Sequence, residues 1–126
     1  MLDLPTIPDL PNLQGKNALD YTLRLVSEEC LEISMAQHKA DRFGLMDINP
    51  NRGRSNYTDL QAEVSDLVAC IRILNFELVK NGLSPIRLND EEAIARKMEK
   101  VAHYAQHSFN NGRLAEPLVI MTGGEE

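Results

Sequence analysis

Two short stretches of the chain concentrate carboxylates at helical spacing. SEECLE contains Glu28, Glu29 and Glu32, and EVSD contains Glu63 and Asp66 one helical turn apart. Like charges at neighbouring helical positions repel each other by roughly a few tenths of a kcal/mol per pair. Either these faces are simply solvated, or a bound cation offsets the repulsion.

Converging carboxylates are best suited to bind a divalent cation. Mg²⁺ takes oxygen ligands in octahedral geometry and usually keeps waters and substrate phosphates in its coordination shell. At about 100° per residue, the three glutamates share one arc nearly opposite the apolar stripe of Val26, Cys30 and Ile33. Glu63 and Asp66 lie on the flank of a second apolar stripe, so we expect them to point into a groove between packed helices.

Three long helices are predicted to carry these residues. No Pro or Gly interrupts residues 17–43, where apolar residues recur at helical spacing, and a second such run covers 58–80. Asn89, followed three residues later by Glu92, predicts the N-cap of a third helix that extends to about residue 110. Residues 44–57 are rich in Gly, Pro, Asn and Ser, which predicts a loop of about a dozen residues.

The ends of the chain complete the expected architecture. Three prolines predict an extended, irregular arm over residues 1–16, and the tail, 113–126, contains a short apolar run, LVIM, that forms either a strand or a packed coil. We therefore predict one domain over residues 1–126, of the all-α class. Its expected architecture is a bundle of long antiparallel helices that oligomerisation completes.

Composition narrows the class of partner and the compartment. The 126 residues are 43% hydrophobic and 25% charged, as in a folded globule, and the net charge of −6 argues against a nucleic acid polymer as partner. Cys30 and Cys70 lack the spacing of a zinc site or a disulfide framework. Without a signal sequence or a membrane span, a cytoplasmic setting is expected.

Cations follow the acids along the first helix. Lys39 returns to nearly the angle of Glu28, and Arg42 follows three residues later. The rise from Glu32 to Lys39 is roughly 10 Å, comparable to the reach of a triphosphate chain. The predicted loop offers further phosphate contacts, or else a solvated surface, through Arg52, Arg54, Ser55 and Asn56.

Two other interpretations compete with a magnesium site. A solvated acidic face is the commoner meaning of the first stretch taken alone. A di-iron bundle requires Glu-x-x-His pairs on two helices, and the sequence has none, because Glu99 and His103 are four residues apart.

Taken together, the motifs resemble those of the MazG-like, all-α nucleoside triphosphate pyrophosphohydrolases. The resemblance rests on EE-x-x-E at Glu28, Glu29 and Glu32, followed by E-x-x-D at Glu63 and Asp66. AQHKADRFG, PNRGRSN, LQAEVSDL and ARKMEKVAHYAQHS extend it over about residues 20 to 114, and are similar to the small single-domain members that bacteriophages encode. The interval between the acidic halves exceeds the family's usual range, because of the loop between them.

The resemblance implies a role for each matching residue. Glu29, Glu32, Glu63 and Asp66 correspond to the metal ligands. Glu28 and Glu29 are the candidate catalytic residues, and Glu28 either supports the ligands from outside the coordination shell or acts as the general base for water. The cations expected to hold the leaving pyrophosphate are Lys39, Arg42, Lys97 and Lys100, with Arg54 and Asn56 as additional substrate contacts. Tyr104 either stacks on the nucleobase or packs in the core.

The expected function is therefore Mg²⁺-dependent cleavage of a nucleoside triphosphate to the monophosphate and pyrophosphate, with Mn²⁺ as an alternative metal. Deoxynucleotides, dGTP first, are the expected substrates. A homodimer or homotetramer is implied, in the host cytoplasm if a phage encodes the chain. The alternative is a non-catalytic helical assembly protein whose acidic face binds divalent ions or a basic partner.

Overall fold

A computed structural model describes residues 17–120, which divide into two compact units after Ile86. The first unit contains four elements: α1 (Ala18–Phe43), β1 (Ile48–Asn49), β2 (Arg54–Ser55) and α2 (Asn56–Lys80). The second contains α3 (Glu91–Asn110). The mostly helical character expected from the sequence is confirmed, and the assignment of residues 1–126 to one domain stays a prediction.

Helix α1 has the bounds that its sequence pattern predicts. The side chain of Asn17 caps its start by accepting a hydrogen bond from the backbone N–H of Asp20 at 2.8 Å. Gly44 ends it with φ at 103°, a value that glycine adopts without steric cost. The N–H of Gly44 donates to the carbonyl of Ala40 at 2.9 Å, which satisfies one of the last helical acceptors.

The segment between α1 and α2 is more ordered than the predicted loop, and that prediction was wrong in this respect. Strands β1 and β2 pair antiparallel, with Ile48 opposite Ser55 and Asn49 opposite Arg54. The Asn49 side chain accepts from the N–H of the residue two positions later, and the N–H of Gly53 donates to the Asn49 carbonyl at 2.8 Å. These local bonds close a β-hairpin, residues 48–55, that period-two hydrophobicity does not reveal.

Helix α2 begins at Asn56, two residues before the predicted start at Thr58. Ser55 is its N-cap, and the Ser55 hydroxyl accepts a hydrogen bond from the N–H of Thr58 at 3.2 Å. The cap satisfies one of the first unpaired N–H groups, so the helix extends back to the edge of the hairpin. Its end at Lys80 matches the prediction.

Helix α3 is capped by Asp90 and not by Asn89, which corrects the prediction. The Asp90 carboxylate accepts from the N–H of Ala93 at 3.2 Å, and the first helical residue is Glu91. The helix reaches Asn110 as expected.

The tail after α3 has neither helix nor strand up to Ile120, so of its two predicted forms the strand is wrong. Ile120 lines a cavity of about 280 Å³ together with Ala95, Met98, Glu99 and Ala102 of α3. The predicted arm, 1–16, and the last six residues lie outside the described residues. Within 17–120, no helix has an apolar stretch long enough to cross a lipid bilayer.

Helices α1 and α2 pack against each other in opposite directions. The buried amide of Asn56, at the start of α2, donates to the carbonyl of Gly44 at 2.9 Å and to that of Lys39 at 3.5 Å, at the end of α1. Of the apolar side chains in residues 17–120, only those of Ala36 and Leu74 are buried. The pair therefore depends on polar contacts as well as on a small apolar core.

The covered side of α1 differs from the predicted apolar stripe. Cys30 is exposed, whereas Glu29 is half-buried. Covered residues of α1 recur at alternating intervals of four and three positions and form the seam against which α2 packs: Thr22, Val26, Glu29, Ile33 and Ala36. The small side chains at the two ends of this seam allow α2 to approach closely. The acidic face is thus not opposite the packed side, because Glu29 lies within it. On α2 the predicted apolar stripe is covered except for Val64, which is 41% exposed. The stripe consists of Leu60, Val64, Leu67, Ile71, Leu74 and Leu78.

We expect Asn56→Ala to destabilise the first unit. The substitution removes the contacts that the buried Asn56 amide makes with the carbonyls of Lys39 and Gly44, and the loss of a hydrogen bond of this kind costs about 0.5 to 1.5 kcal/mol in the free energy of unfolding. Thermal unfolding followed by circular dichroism should show the melting temperature falling by several degrees. Asn51→Ala, an exposed position in the hairpin turn, is the matched control and should leave it unchanged.

Candidate metal centre

Three carboxylates meet where the middle of α1 faces α2. Glu29, Glu63 and Asp66 each offer an oxygen atom, and these atoms all lie within 4.8 Å of one another. We call these three residues the acidic cluster. Glu29 and Glu63 are half-buried and Asp66 is exposed. The predicted convergence of carboxylates from the two helices is confirmed for these three residues.

The acidic cluster disfavours its own charge. Partial desolvation raises the pKa of the Glu29 carboxyl above its ordinary value of 4.5, and the negative charges of Asp66 and Glu63 raise it further. Glu32 and Glu28 add smaller contributions in the same direction. A cation held among these oxygens would remove this penalty and offset the repulsion among the carboxylates.

The spacing of the oxygens fits a hard divalent cation. With Mg²⁺–oxygen distances of about 2.0 to 2.1 Å, ligand atoms in an octahedron lie no more than roughly 4.2 Å apart. Oxygens already within 4.8 Å of one another need only small side-chain movements to reach that separation. One open, exposed side at Asp66 leaves room for waters or phosphate oxygens to complete the shell.

Glu32, the fourth predicted ligand, is not part of the acidic cluster. It lines a small cavity of about 30 Å³ beside it, which has room for water-sized occupants. The lining of this cavity includes three carboxylates and two basic side chains. Its residues are Glu32, Met35, Ala36, Lys39, Arg52, Asn56, Asp59 and Glu63. Glu28 is exposed on α1. The catalytic role of Glu28 and the ligand role of Glu32 stay predictions.

The two predicted cations of α1 have different surroundings. Lys39 lines the small cavity and also a second one of about 250 Å³, whose other lining residues are Phe43, Asp47, Asn49, Pro50 and Asn56. Arg42 lines neither of these cavities, and its guanidinium lies 5.4 Å from the centre of the Phe43 ring, a cation–π contact. Of the two, Lys39 is the better placed to meet a phosphate.

Arg54 and Asn56, predicted to contact phosphate, are engaged within the protein. The Asn56 amide holds the end of α1, as described above. An Arg54 Nη atom lies 2.9 Å from the Asp59 carboxylate, and one from Arg52 lies 3.9 Å from the same oxygen. Asp59 carries no sequence signal of a site, because an acid in the first turn of a helix is ordinarily explained by the helix dipole.

The remaining predicted substrate residues, Lys97, Lys100 and Tyr104, lie on α3 in the second unit, and all are exposed. Tyr104 is 58% exposed and its ring meets that of His103 edge to face, with the ring centres 5.6 Å apart. Of the two alternatives for Tyr104, core packing within the described chain is therefore wrong. The substrate-binding roles of these residues stay predictions.

Both cysteines are free, as the spacing predicted. Cys70 is half-buried on α2, and desolvation together with the charges of Glu29 and Asp66 raises the pKa of its thiol. The ligand atoms that meet at this centre are the carboxylate oxygens of Glu29, Glu63 and Asp66, the donor type that a hard cation prefers.

No family model, curated protein or solved structure matches this chain. Its function must therefore be argued from the residues that the sequence motifs and the packing of α1 on α2 bring together.

We expect Glu29→Gln to raise the melting temperature in the absence of metal, because it removes the most strained charge of the acidic cluster. Millimolar Mg²⁺ should raise the melting temperature of the wild-type protein through ligand linkage, and this rise should shrink in the variant. Glu28→Gln makes the same change of charge one residue away and should keep the rise. An equal rise in all three proteins would contradict a metal site at Glu29.

Proposed function

We propose that the protein is a Mg²⁺-dependent nucleoside triphosphate pyrophosphohydrolase. The observation that carries the proposal is the meeting of Glu29, Glu63 and Asp66 across the α1–α2 seam. Two helices otherwise short of buried apolar contacts place repelling carboxylates at their centre, an arrangement that metal binding makes favourable. The order of motifs that resembles the MazG-like enzymes supports the choice of nucleotide chemistry.

The reaction needs charge neutralisation, a water nucleophile and a held leaving group. Mg²⁺, when bound, neutralises the triphosphate and lowers the pKa of a water molecule. The acidic cluster would hold the ion, with Glu32 beside it, and Glu28 would accept the proton of the attacking water. Water attacks the α phosphorus, the bond to the oxygen bridging the α and β phosphorus atoms breaks, and pyrophosphate leaves.

The position of the basic side chains along α1 supports one orientation of the triphosphate chain. Lys39 lies seven residues beyond Glu32 towards the end of α1, a rise of roughly 10 Å, so the β and γ phosphates extend that way. Positive charge there stabilises pyrophosphate more as it departs than in the bound substrate, which is what accelerates the step. Arg42 supplies further positive charge on α1, and we propose dGTP as the preferred substrate.

A homodimer or homotetramer is part of the proposal. In the described residues, α1 and α2 expose large apolar side chains that a globular monomer would cover, among them Leu31 at 63%, Met35 at 55% and Phe76 at 70%. A second copy of the chain would bury these side chains and complete a helical bundle. The same observation favours the alternative function, a non-catalytic assembly protein whose acidic face binds ions or a basic partner.

Turnover distinguishes the two functions. With Mg²⁺ or Mn²⁺, a panel of the eight common nucleoside triphosphates should yield monophosphate and pyrophosphate, with dGTP cleaved fastest. Asp66→Asn should reduce kcat by at least about a hundredfold, since it weakens binding of the ion that neutralises the triphosphate. Wild-type turnover in Asp66→Asn would contradict the assignment, and a metal-binding protein without turnover would favour the assembly function.

Oligomerisation is checked independently of catalysis. Light scattering at micromolar protein should give a mass of two or four times the 14.2 kDa chain, because the exposed apolar side chains need a partner. Leu31→Glu should shift the mass towards the monomer, while Ser34→Glu, an exposed polar position on the same helix, should not. A wild-type monomer of 14.2 kDa would refute this part of the proposal.

A further inference from the structure

Three charged side chains meet where the β-hairpin joins α2. Asp59 lies in the first turn of α2, and its side chain is only 10% exposed. Arg54 and Arg52 of the hairpin approach the same Asp59 oxygen at 2.9 Å and 3.9 Å. One buried negative charge thus faces two positive charges, so Asp59 does not neutralise both arginines.

The Asp59 oxygen is held by charge and not by a directed hydrogen bond. It is a buried atom, and within the described residues no donor meets it at hydrogen-bonding angles, although Arg54 is within hydrogen-bonding distance. We take the contact as an ion pair that runs off the N–H axis, because distance governs Coulomb attraction and angle governs a hydrogen bond. Such an ion pair holds the guanidinium in place and leaves its N–H groups able to donate hydrogen bonds to another partner.

The two arginines are not equivalent. Arg54 is the close partner of Asp59 and balances its charge. Arg52 is more distant, is 52% exposed at its side chain, and lines the small cavity with Lys39, Glu32 and Glu63. Of the two arginines, Arg52 is therefore the one that borders the acid-lined cavity between α1 and α2.

We propose that Arg52 binds the diphosphate portion of the nucleotide, both in the substrate and as released pyrophosphate, and that Asp59 is a positioning residue for it. The proposal rests on the proposed function and adds to it a binding residue and its support. A guanidinium donates two parallel hydrogen bonds to a phosphate, which a lysine does not. Lys39 lines the same cavity and supplies a point charge there.

The size and charge of the small cavity define how the diphosphate lies. At about 30 Å³ the cavity holds water and not a phosphate chain, so the diphosphate lies across its mouth. Its lining includes Glu32 and Glu63, which repel an approaching diphosphate, whereas the charge of Asp59 is balanced by Arg54. Binding therefore requires both Mg²⁺ and the guanidinium, and the loss of either should weaken it.

Isothermal titration calorimetry of inorganic pyrophosphate into the full chain, with millimolar Mg²⁺, tests the proposal without any need for turnover. Arg52→Ala should raise the pyrophosphate Kd roughly tenfold, as expected for one charge-assisted contact at a partly exposed site, and Arg52→Lys should fall between the two. Arg72→Ala, an exposed arginine 13 residues beyond Asp59 on α2, is the matched control and should bind like the wild type. A change of less than about twofold in Arg52→Ala, or no pyrophosphate binding by the wild type, would overturn the proposal.

The positioning role of Asp59 has a separate readout. Asp59→Asn keeps the shape of the side chain and removes the charge that holds Arg52, so pyrophosphate binding should weaken several-fold. The rise of the melting temperature with Mg²⁺ should be preserved, because the acidic cluster is intact. Wild-type pyrophosphate affinity in Asp59→Asn would overturn this role.

Failure of the proposal and failure of the proposed function give different results. Hydrolysis of a nucleoside triphosphate with an unchanged KM in Arg52→Ala would leave the enzyme assignment standing and remove Arg52 from the site. Conversely, pyrophosphate binding that depends on Arg52, in a chain that hydrolyses none of the triphosphates, would support the binding site and overturn the enzyme.

Discussion

The register between α1 and α2 is the constraint on which the candidate site depends. It is fixed at one end by the buried Asn56 amide, which donates to carbonyls at Lys39 and Gly44 where α1 ends. From that point each turn of α2 meets an earlier turn of α1, until Glu63 and Asp66 reach Glu29. A shift of α2 by one residue would rotate its side chains by about 100° and separate these carboxylates. The acidic cluster is thus a consequence of packing that is set more than two helical turns away.

The packing of Glu29 in this seam lowers the stability of the fold and also creates the candidate metal site. Burying Glu29 partly among other acids raises the pKa of its carboxyl, which means that the folded chain opposes the charge it carries at neutral pH. Little apolar burial within the described residues is available to offset this, since Ala36 and Leu74 are the only buried apolar side chains there. In the function proposed above, metal binding and a second copy of the chain would be two separate ways to recover stability, one electrostatic and one hydrophobic.

The β-hairpin places positive charge beside this negative centre. Its turn is closed locally by the side chain of Asn49 and by Gly53 at φ 67°, a conformation that favours glycine. The hairpin then presents Arg52 and Arg54 to Asp59 on the first turn of α2, where the helix dipole also favours a negative charge. Arg52 also lines the small cavity with Lys39, Glu32 and Glu63, so side chains of both charges border the same space.

The sequence by itself determined the helices, their approximate ends and the residue types of the site. Uninterrupted helical periodicity sets α1 to within a residue, and the paired acidic motifs identified Glu29, Glu63 and Asp66, because local spacing and propensity act within one helix. Tertiary structure decided what local patterns do not encode. It placed Glu29 within the packed seam where an opposite face was expected, left Glu32 beside the acidic cluster and not in it, and engaged Arg54 with Asp59. Helical periodicity gives the angles of side chains about one axis, whereas the rotation and register of a second helix depend on contacts between residues far apart in the chain.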